Sequence, residues 1–134
     1  MRLWHIDLIE KGLLPKSQLL AQWRELNSIF KNQNKHILIN YVYDYPKSTL
    51  KSYADKVIAE MLSRSFKIVS LENYNEYFKG VVCEKDERFD EHNEDYYTMC
   101  FWNLKEKYVR GQKDFDDKVW SKLRNDYMGR VRYD

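Results

Sequence analysis

Glycine and proline are scarce in this chain, which has four glycines and two prolines among 134 residues. A sheet protein with many tight turns needs more of both, so their scarcity favours helices. Cysteine is rare too, and Cys83 and Cys100 have neither CxxC spacing nor a partner pattern. We therefore expect two reduced thiols and a cytoplasmic protein.

Long apolar segments are absent as well. No run of about 18 apolar residues exists, so we expect no transmembrane helix and no membrane partner. The start, MRLWHIDLIE, carries charges at Arg2, Asp7 and Glu10, which excludes the apolar core of a secretory signal. The chain also lacks a glycine-rich phosphate loop and a GxSxG motif, which excludes the commonest nucleotide-binding and hydrolase patterns.

The sequence offers little for a metal ion. His5, His36 and His92 lie far apart and lack HxxxH or HxH spacing, so we predict no metal site. His92 does lie among acidic residues and could bind a divalent cation, but such a run is more often a solvated surface. A metal-dependent nuclease built around His92 is therefore the most distant alternative for the function.

Aromatic residues and segregated charge are what the chain has in quantity. Its 43% hydrophobic and 16% aromatic residues indicate a folded protein, and we expect residues 1–134 to form a single domain. Residues 1–70 hold 11 Lys/Arg against 6 Asp/Glu, residues 71–100 hold 3 against 9, and residues 101–134 hold 9 against 6. This could give a positive face for nucleic acid, although charge scattered over the surface explains it equally well.

The apolar periodicity predicts a mainly helical chain. Leu19, Trp23 and Leu26 form a helical stripe. Residues 36–45 read as a buried strand or a short helix, and residues 84–95 as a solvated loop or frayed helix. The predicted helices cover residues 15–31, 47–65 and 95–109, and a last helix capped by Asp114. We expect an all-α, single compact domain of four or five helices.

Arg24 and Glu25 lie side by side within the first long helix. Successive helical residues point about 100° apart, so the two charges do not support each other as an i, i+4 pair would. On an arbitrary helix both would be ordinary solvent-exposed residues. The segments around them, however, indicate a functional role for this pair.

Four segments, in order, resemble the pyrimidine-dimer DNA glycosylase family. They are MRLWH at the start, QLLAQWREL from residue 18, KH at residues 35–36, and YDYPKSTLKSYADKVIAEMLSRSFKI up to residue 68. Later in the chain, DDKV at 116–119 and YMGR at 127–130 resemble the family's aromatic, basic tail more weakly. The resemblance implies an endonuclease V-like all-α fold and a DNA-repair glycosylase with abasic-site lyase activity on damaged double-stranded DNA, acting as a monomer on ultraviolet-type pyrimidine dimers.

In this family the amine of the first residue attacks C1′ of the damaged nucleotide and forms an imine, and a helix glutamate assists. By resemblance Glu25 matches that glutamate, Arg24 the DNA-contacting arginine beside it, and Arg2 the arginine that follows the nucleophile. Arg2 is too large to favour removal of the initiator methionine, so we expect a retained Met1 to supply the amine. The chemistry needs no metal and no cofactor.

Elementary chemistry supports an α-amine in this role. The reference pKa of an α-amine is about 7.7–8.0 against about 10.4 for a lysine, so far more of an α-amine is neutral and nucleophilic at neutral pH. A carboxylate such as Glu25 can stabilise a cationic imine and transfer protons.

Further DNA contacts are expected from the basic and aromatic residues that match the family. Lys35 and His36 could hold phosphate, although a histidine at a helix end is more often a cap. Tyr127 and Arg130, with Arg132 and Tyr133, suit a tail lying along DNA, but Tyr127 also falls on the apolar stripe of its helix.

Departures from the family pattern leave another reading open. Asn27, Ser28 and Ile29 stand where endonuclease V, the phage member of this family, has a further basic contact with DNA. The acidic residues 84–95 would repel a nearby phosphate backbone. The second hypothesis is therefore a non-catalytic nucleic-acid-binding module of the same fold, or a relative with another target.

Overall fold

The computed structural model describes residues 1–131, and this part of the chain is helical, without strands. The six α-helices are α1 (Ile6–Glu10), α2 (Lys16–Asn32), α3 (Lys47–Ser63), α4 (Glu72–Tyr77), α5 (Glu94–Val109) and α6 (Asp117–Val131). A 3-10 helix, Asn40–Asp44, lies between α2 and α3. The predicted all-α fold class is confirmed. No helix among those described is long and apolar enough to cross a membrane.

The two long N-terminal helices each begin directly after a proline. Pro15 precedes α2 and Pro46 precedes α3, and at these positions the missing backbone N–H of proline costs nothing. α2 packs against both α3 and α4. Its buried residues include Leu19, Leu26 and Ile29, and each buried side chain of this size contributes about 1.5–3 kcal/mol.

The C-terminal helices α5 and α6 pack against each other through stacked aromatic rings. The ring of Phe101 lies 3.8 Å from that of Tyr127, with an interplanar angle of 5°, and Tyr108 stacks on Trp120 at 4.7 Å. Offset stacking of this kind adds about 0.5–1.5 kcal/mol to the burial itself. This aromatic interface fixes α5, which contributes residues to the site described below.

The prediction that Asp114 caps the last helix is wrong, and Asp114 instead links the two halves of the chain. α6 begins at Asp117, and Asp116 accepts the backbone N–H of Val119 at 2.9 Å. Asp114 instead accepts the backbone N–H of Ser17 at 2.6 Å and the Ser17 hydroxyl at 3.0 Å. The aspartate therefore satisfies a free N–H at the start of α2, a helix nearly a hundred residues earlier.

Residues 36–45 form a turn followed by the 3-10 helix, where the sequence predicted a buried strand or a short helix. Ile39 and Val42 are buried there, so the segment does contribute to the core. A β-branched apolar run cannot distinguish these outcomes, because a strand and a short helix bury it equally well.

The acidic segment 84–95 is mostly an exposed loop, as predicted, but it also contacts the body of the protein. Phe89 is buried, and Tyr45 donates its hydroxyl proton to Glu91 at 2.6 Å. Asp86 is paired with Lys56 and with Arg88, and Arg88 also binds Glu10 at 2.6 Å. Several of its acids are therefore engaged with the body of the protein.

Candidate active site

The first five residues precede α1 and contact three helices. Leu3, Trp4 and His5 are buried, although none of them is in a helix. Tyr96 on α5 donates its hydroxyl proton to the carbonyl of Leu3 at 2.5 Å, and Tyr53 on α3 donates to the carbonyl of Trp4 at 2.7 Å. These contacts hold the N-terminus at a defined place beside α2.

Gln22 on α2 completes this anchoring. Its carbonyl oxygen Oε1 accepts the backbone N–H of Trp4 at 2.7 Å, and its Nε2 donates to the carbonyl of Arg2 at 3.1 Å. The segment around Met1 is thus tied to the helix that carries Glu25.

Met1 and Glu25 line the same cavity. The cavity has a volume of about 290 Å³ and opens to solvent between the N-terminal segment, α2 and α5. Its lining residues are Met1, Arg2, Trp4, Gln18, Ala21, Glu25, Asn103 and Lys107. An amine, a carboxylate and two further cationic side chains therefore surround one space.

Glu25 is half-buried, and its environment changes its ionisation. Burial raises the pKa of Glu25 above its usual range. The N-terminal ammonium opposes this rise most strongly among the nearby groups, followed by the backbone N–H of Arg2 and the guanidinium groups of Arg24 and Arg2. The ammonium and the carboxylate thus interact across the cavity that Met1 and Glu25 both line.

Arg24 and Glu25 face different surroundings. Arg24 is exposed and does not line the cavity, whereas Glu25 is half-buried within it. The angle of about 100° between successive helical positions explains how adjacent charges reach solvent and cavity separately.

Arg2 contributes to the cavity wall and packs on two aromatic rings. Its guanidinium carbon lies 5.7 Å from the ring centre of Trp4 and 5.9 Å from that of Tyr96. Cation–π contacts of this length hold the side chain in place and leave its N–H groups able to bind an anion.

The remaining residues predicted to bind DNA do not line the cavity. Lys35 is exposed, with its Nζ 3.9 Å from the centre of the Tyr43 ring. His36 is exposed and organises a turn, since its Nδ1 accepts the backbone N–H of Leu38 at 3.1 Å and its own backbone N–H donates to Asn40 at 2.8 Å. These contacts favour a capping role for His36 over a phosphate contact.

Arg130 is placed where a structural role is favoured over the predicted DNA contact. Its guanidinium binds Asp7, Glu94 at 2.7 Å and Asp126 at 3.2 Å, and lies 3.6 Å from the centre of the Tyr97 ring. Its side chain is 16% exposed. The stacking of Tyr127 on Phe101 likewise favours packing. Arg132 and Tyr133 lie outside the described residues.

His92 has contacts that leave its ring no free nitrogen. Its Nδ1 accepts the backbone N–H of Ile6 at 3.1 Å, and its Nε2 lies 2.8 Å from the hydroxyl of Tyr41. Within residues 1–131 no group of three or more His, Cys, Asp or Glu is arranged to hold a metal ion. The geometry gives no support to the alternative of a metal site at His92.

Sequence reasoning missed Gln22, Asn103 and Lys107. A signal existed for Gln22, because it is a polar residue within the apolar stripe of Leu19 and Leu26. Asn103 and Lys107 share a helix face at i, i+4, but nothing in the sequence places that face beside Met1. Their position depends on how α5 packs.

Comparison with known proteins gives one match. Residues 1–74 match the family model described as pyrimidine dimer DNA glycosylase. No curated protein and no solved structure matches the chain.

Proposed function

The chain belongs to the pyrimidine dimer DNA glycosylase family, and on this premise we propose that Met1 and Glu25 carry out base excision and abasic-site cleavage on damaged double-stranded DNA. The observation that carries this proposal is the cavity that Met1 and Glu25 share. The proposal requires a retained Met1 with a free amine.

The proposed first step is attack of the neutral α-amine on C1′ of the damaged nucleotide. The bond between C1′ and the base breaks, and the base leaves with the bonding electron pair and takes up a proton. Opening of the sugar ring then gives an iminium ion between the Met1 nitrogen and C1′. The positive charge acidifies the C2′ proton, and its removal expels the 3′ phosphate by β-elimination.

Glu25 supports these steps in two ways. As an anion beside the amine it stabilises the positive charge that develops on the sugar and then on the iminium nitrogen. As a base with a raised pKa it accepts a proton more readily than an ordinary carboxylate, which suits proton transfer during ring opening and elimination. Partial burial strengthens both effects, because water screens the charges less.

The cations around the cavity suit the phosphates that flank a damaged nucleotide. Arg2 on the N-terminal segment and Lys107 on α5 both line the cavity. Arg24 is exposed on α2, one residue before Glu25. Contacts of this type fix the register of the strand and carry no sequence information. We propose that these three side chains hold the backbone while the sugar enters the cavity.

The test is borohydride trapping on duplexes that contain an abasic site or a thymine dimer, with and without a chelator. We expect a covalent protein–DNA adduct and strand cleavage on both substrates, unaffected by the chelator. Glu25→Gln should lower the single-turnover rate by about 100-fold or more, since proton transfer and charge stabilisation each contribute at that scale.

Glu76→Gln is the matched control, because Glu76 is an exposed glutamate on α4 and does not line the cavity. It should react like the unmodified protein. Salt-dependent DNA binding with neither adduct nor cleavage would replace the enzyme with a nucleic-acid-binding module. Loss of activity in chelator would contradict the metal-free chemistry.

A further inference from the structure

Gln22 is a polar side chain at a place where an apolar one would ordinarily lie. It is 0% exposed, and its neighbours along the helix stripe, Leu19 and Leu26, are equally buried. A buried amide costs several kcal/mol if its hydrogen bonds are not made, so one that persists in a core must be well satisfied.

The Gln22 amide is hydrogen-bonded at both ends. Oε1 accepts the backbone N–H of Trp4 at 2.7 Å and lies 3.0 Å from the hydroxyl of Tyr53. Nε2 donates to the carbonyl of Arg2 at 3.1 Å and to Oε2 of Glu25 at 3.3 Å. Both donor positions are therefore used, and Oε1 has the Trp4 N–H and a share of the single Tyr53 proton, which the carbonyl of Trp4 also accepts.

Contacts with backbone groups determine the orientation of this amide, that is, which of its two terminal atoms is the oxygen. A backbone N–H can only donate, so the atom facing Trp4 must be the oxygen, and a backbone carbonyl can only accept, so the atom facing Arg2 must be the nitrogen. The group directed at Glu25 is consequently an N–H. A carboxylate oxygen accepts that proton, which favours the charged form of Glu25 and fixes its rotation.

We infer that Gln22 is a positioning residue of the reaction: one buried amide fixes both the N-terminal segment and the carboxylate of Glu25, and thereby sets the amine and the acid relative to each other. This inference rests on the proposed function of Met1 and Glu25. Gln22 itself does not line the cavity, so it acts through its neighbours.

Tyr53 supplies a comparison within the same cluster. Its hydroxyl contacts the carbonyl of Trp4 and Oε1 of Gln22, and it makes no hydrogen bond to Glu25. Tyr53→Phe therefore loosens the N-terminal segment and leaves the N–H directed at Glu25 in place. Gln22→Glu keeps an oxygen for Trp4 but replaces that N–H with a second carboxyl oxygen.

The experiment is the pH dependence of the single-turnover trapping rate on abasic-site DNA for the unmodified protein, Gln22→Glu and Tyr53→Phe. The acid limb records protonation of the nucleophilic amine, and a second carboxylate next to Glu25 favours the protonated form of that amine. We expect Gln22→Glu to move the acid limb of the profile upward by about one pH unit or more. Tyr53→Phe should lower the rate without moving the limb.

A second measurement uses the unmodified protein and needs no catalysis. The Nε2–H resonances of Gln22 in a nitrogen–proton correlation spectrum should shift with pH as Glu25 titrates, and Glu25→Gln should abolish this shift. Resonances that do not respond to Glu25 would overturn the inference, as would an acid limb in Gln22→Glu that coincides with that of the unmodified protein. Failure of the unmodified protein to form an adduct would instead count against the proposed function, and the spectrum would still decide the role of Gln22.

Discussion

Arg24 and Glu25 are neighbours in the sequence, yet burial gives them different chemistry. Arg24 is exposed, whereas Glu25 is half-buried in the cavity that Met1 also lines. At the scale of single residues the same distinction applies to the histidines. His36 lies at the surface and caps a turn, and His92 is enclosed by Ile6, Tyr41 and other packed groups.

The enclosure of His92 predicts a specific pH dependence of stability. Burial, together with the nearby His5, lowers the pKa of His92 to about 3, and Asp7 opposes this only in part. Between about pH 3 and pH 6.5 the unfolded chain therefore binds a proton at this histidine that the folded protein does not. Stability should be fully present above about pH 6.5 and fall as the pH drops, by roughly 1.4 kcal/mol per pH unit from this group alone.

Urea unfolding between about pH 4.5 and pH 7.5 measures this slope. His92→Gln can still accept from Ile6 and face Tyr41 but cannot titrate, so its stability should depend less on pH even if it is lower overall. His36→Gln, at the surface, is the control and should keep the slope of the unmodified protein. An equal slope in all three proteins would show that His92 is not the group responsible.

At the scale of helices, Arg130 joins three elements. It extends from α6 to Asp7 on α1 and Glu94 at the start of α5, and it also binds Asp126 one turn earlier on its own helix. The side chains of Arg130, Asp7 and Asp126 are all mostly buried, so water screens these pairs less than it screens surface pairs. The arrangement ties α1, and so the N-terminal segment before it, to the C-terminal helices α5 and α6.

Arg130→Ala should lower the free energy of unfolding by about 2 kcal/mol, because Asp7 and Asp126 each lose a partly buried partner and keep Arg88 at 3.5 Å and Lys11 at 2.9 Å, respectively, as cationic partners. Arg110→Ala is the matched control, since Arg110 forms a single exposed pair with Glu106 and its loss should cost no more than about 0.5 kcal/mol. Urea unfolding at neutral pH compares them.

DNA affinity separates this structural role from the one predicted from the sequence. Affinity of the folded Arg130→Ala protein should match that of the unmodified protein. If Arg130→Ala changes stability only slightly but lowers DNA affinity tenfold or more, Arg130 contacts DNA as the sequence predicted.

The long helices could be predicted from the sequence, and the short ones could not. Pro15 and Pro46 mark where α2 and α3 begin, and their apolar stripes extend over four or more turns. α1 has five residues and α4 six, which is less than the length over which a periodic pattern is detectable. The cap of α6 could not be predicted, because Asp114 and Asp116 are both suitable capping residues. Asp116 caps α6, whereas Asp114 binds the start of α2.

At the scale of the whole molecule, the cavity draws on both halves of the chain. The family match ends at residue 74, whereas Asn103 and Lys107 belong to α5. Met1, Arg2 and Glu25 could be named from the sequence because the family resemblance covers them. Lys107 could not, since only the packing of α5 brings it to the N-terminus. That residues 1–134 act as one functional domain stays a prediction, and this shared cavity supports it.

The cavity holds two amines, the α-amine of Met1 and the side chain of Lys107, and the proposed chemistry assigns the reaction to the first. The most direct measurement is mass mapping of the borohydride-reduced adduct after digestion, together with the intact mass of the free protein. We predict a retained Met1 without acetylation and a sugar remnant on its α-nitrogen. A remnant on Lys107, or an N-terminus that is blocked in a protein that still forms the adduct, would contradict the account.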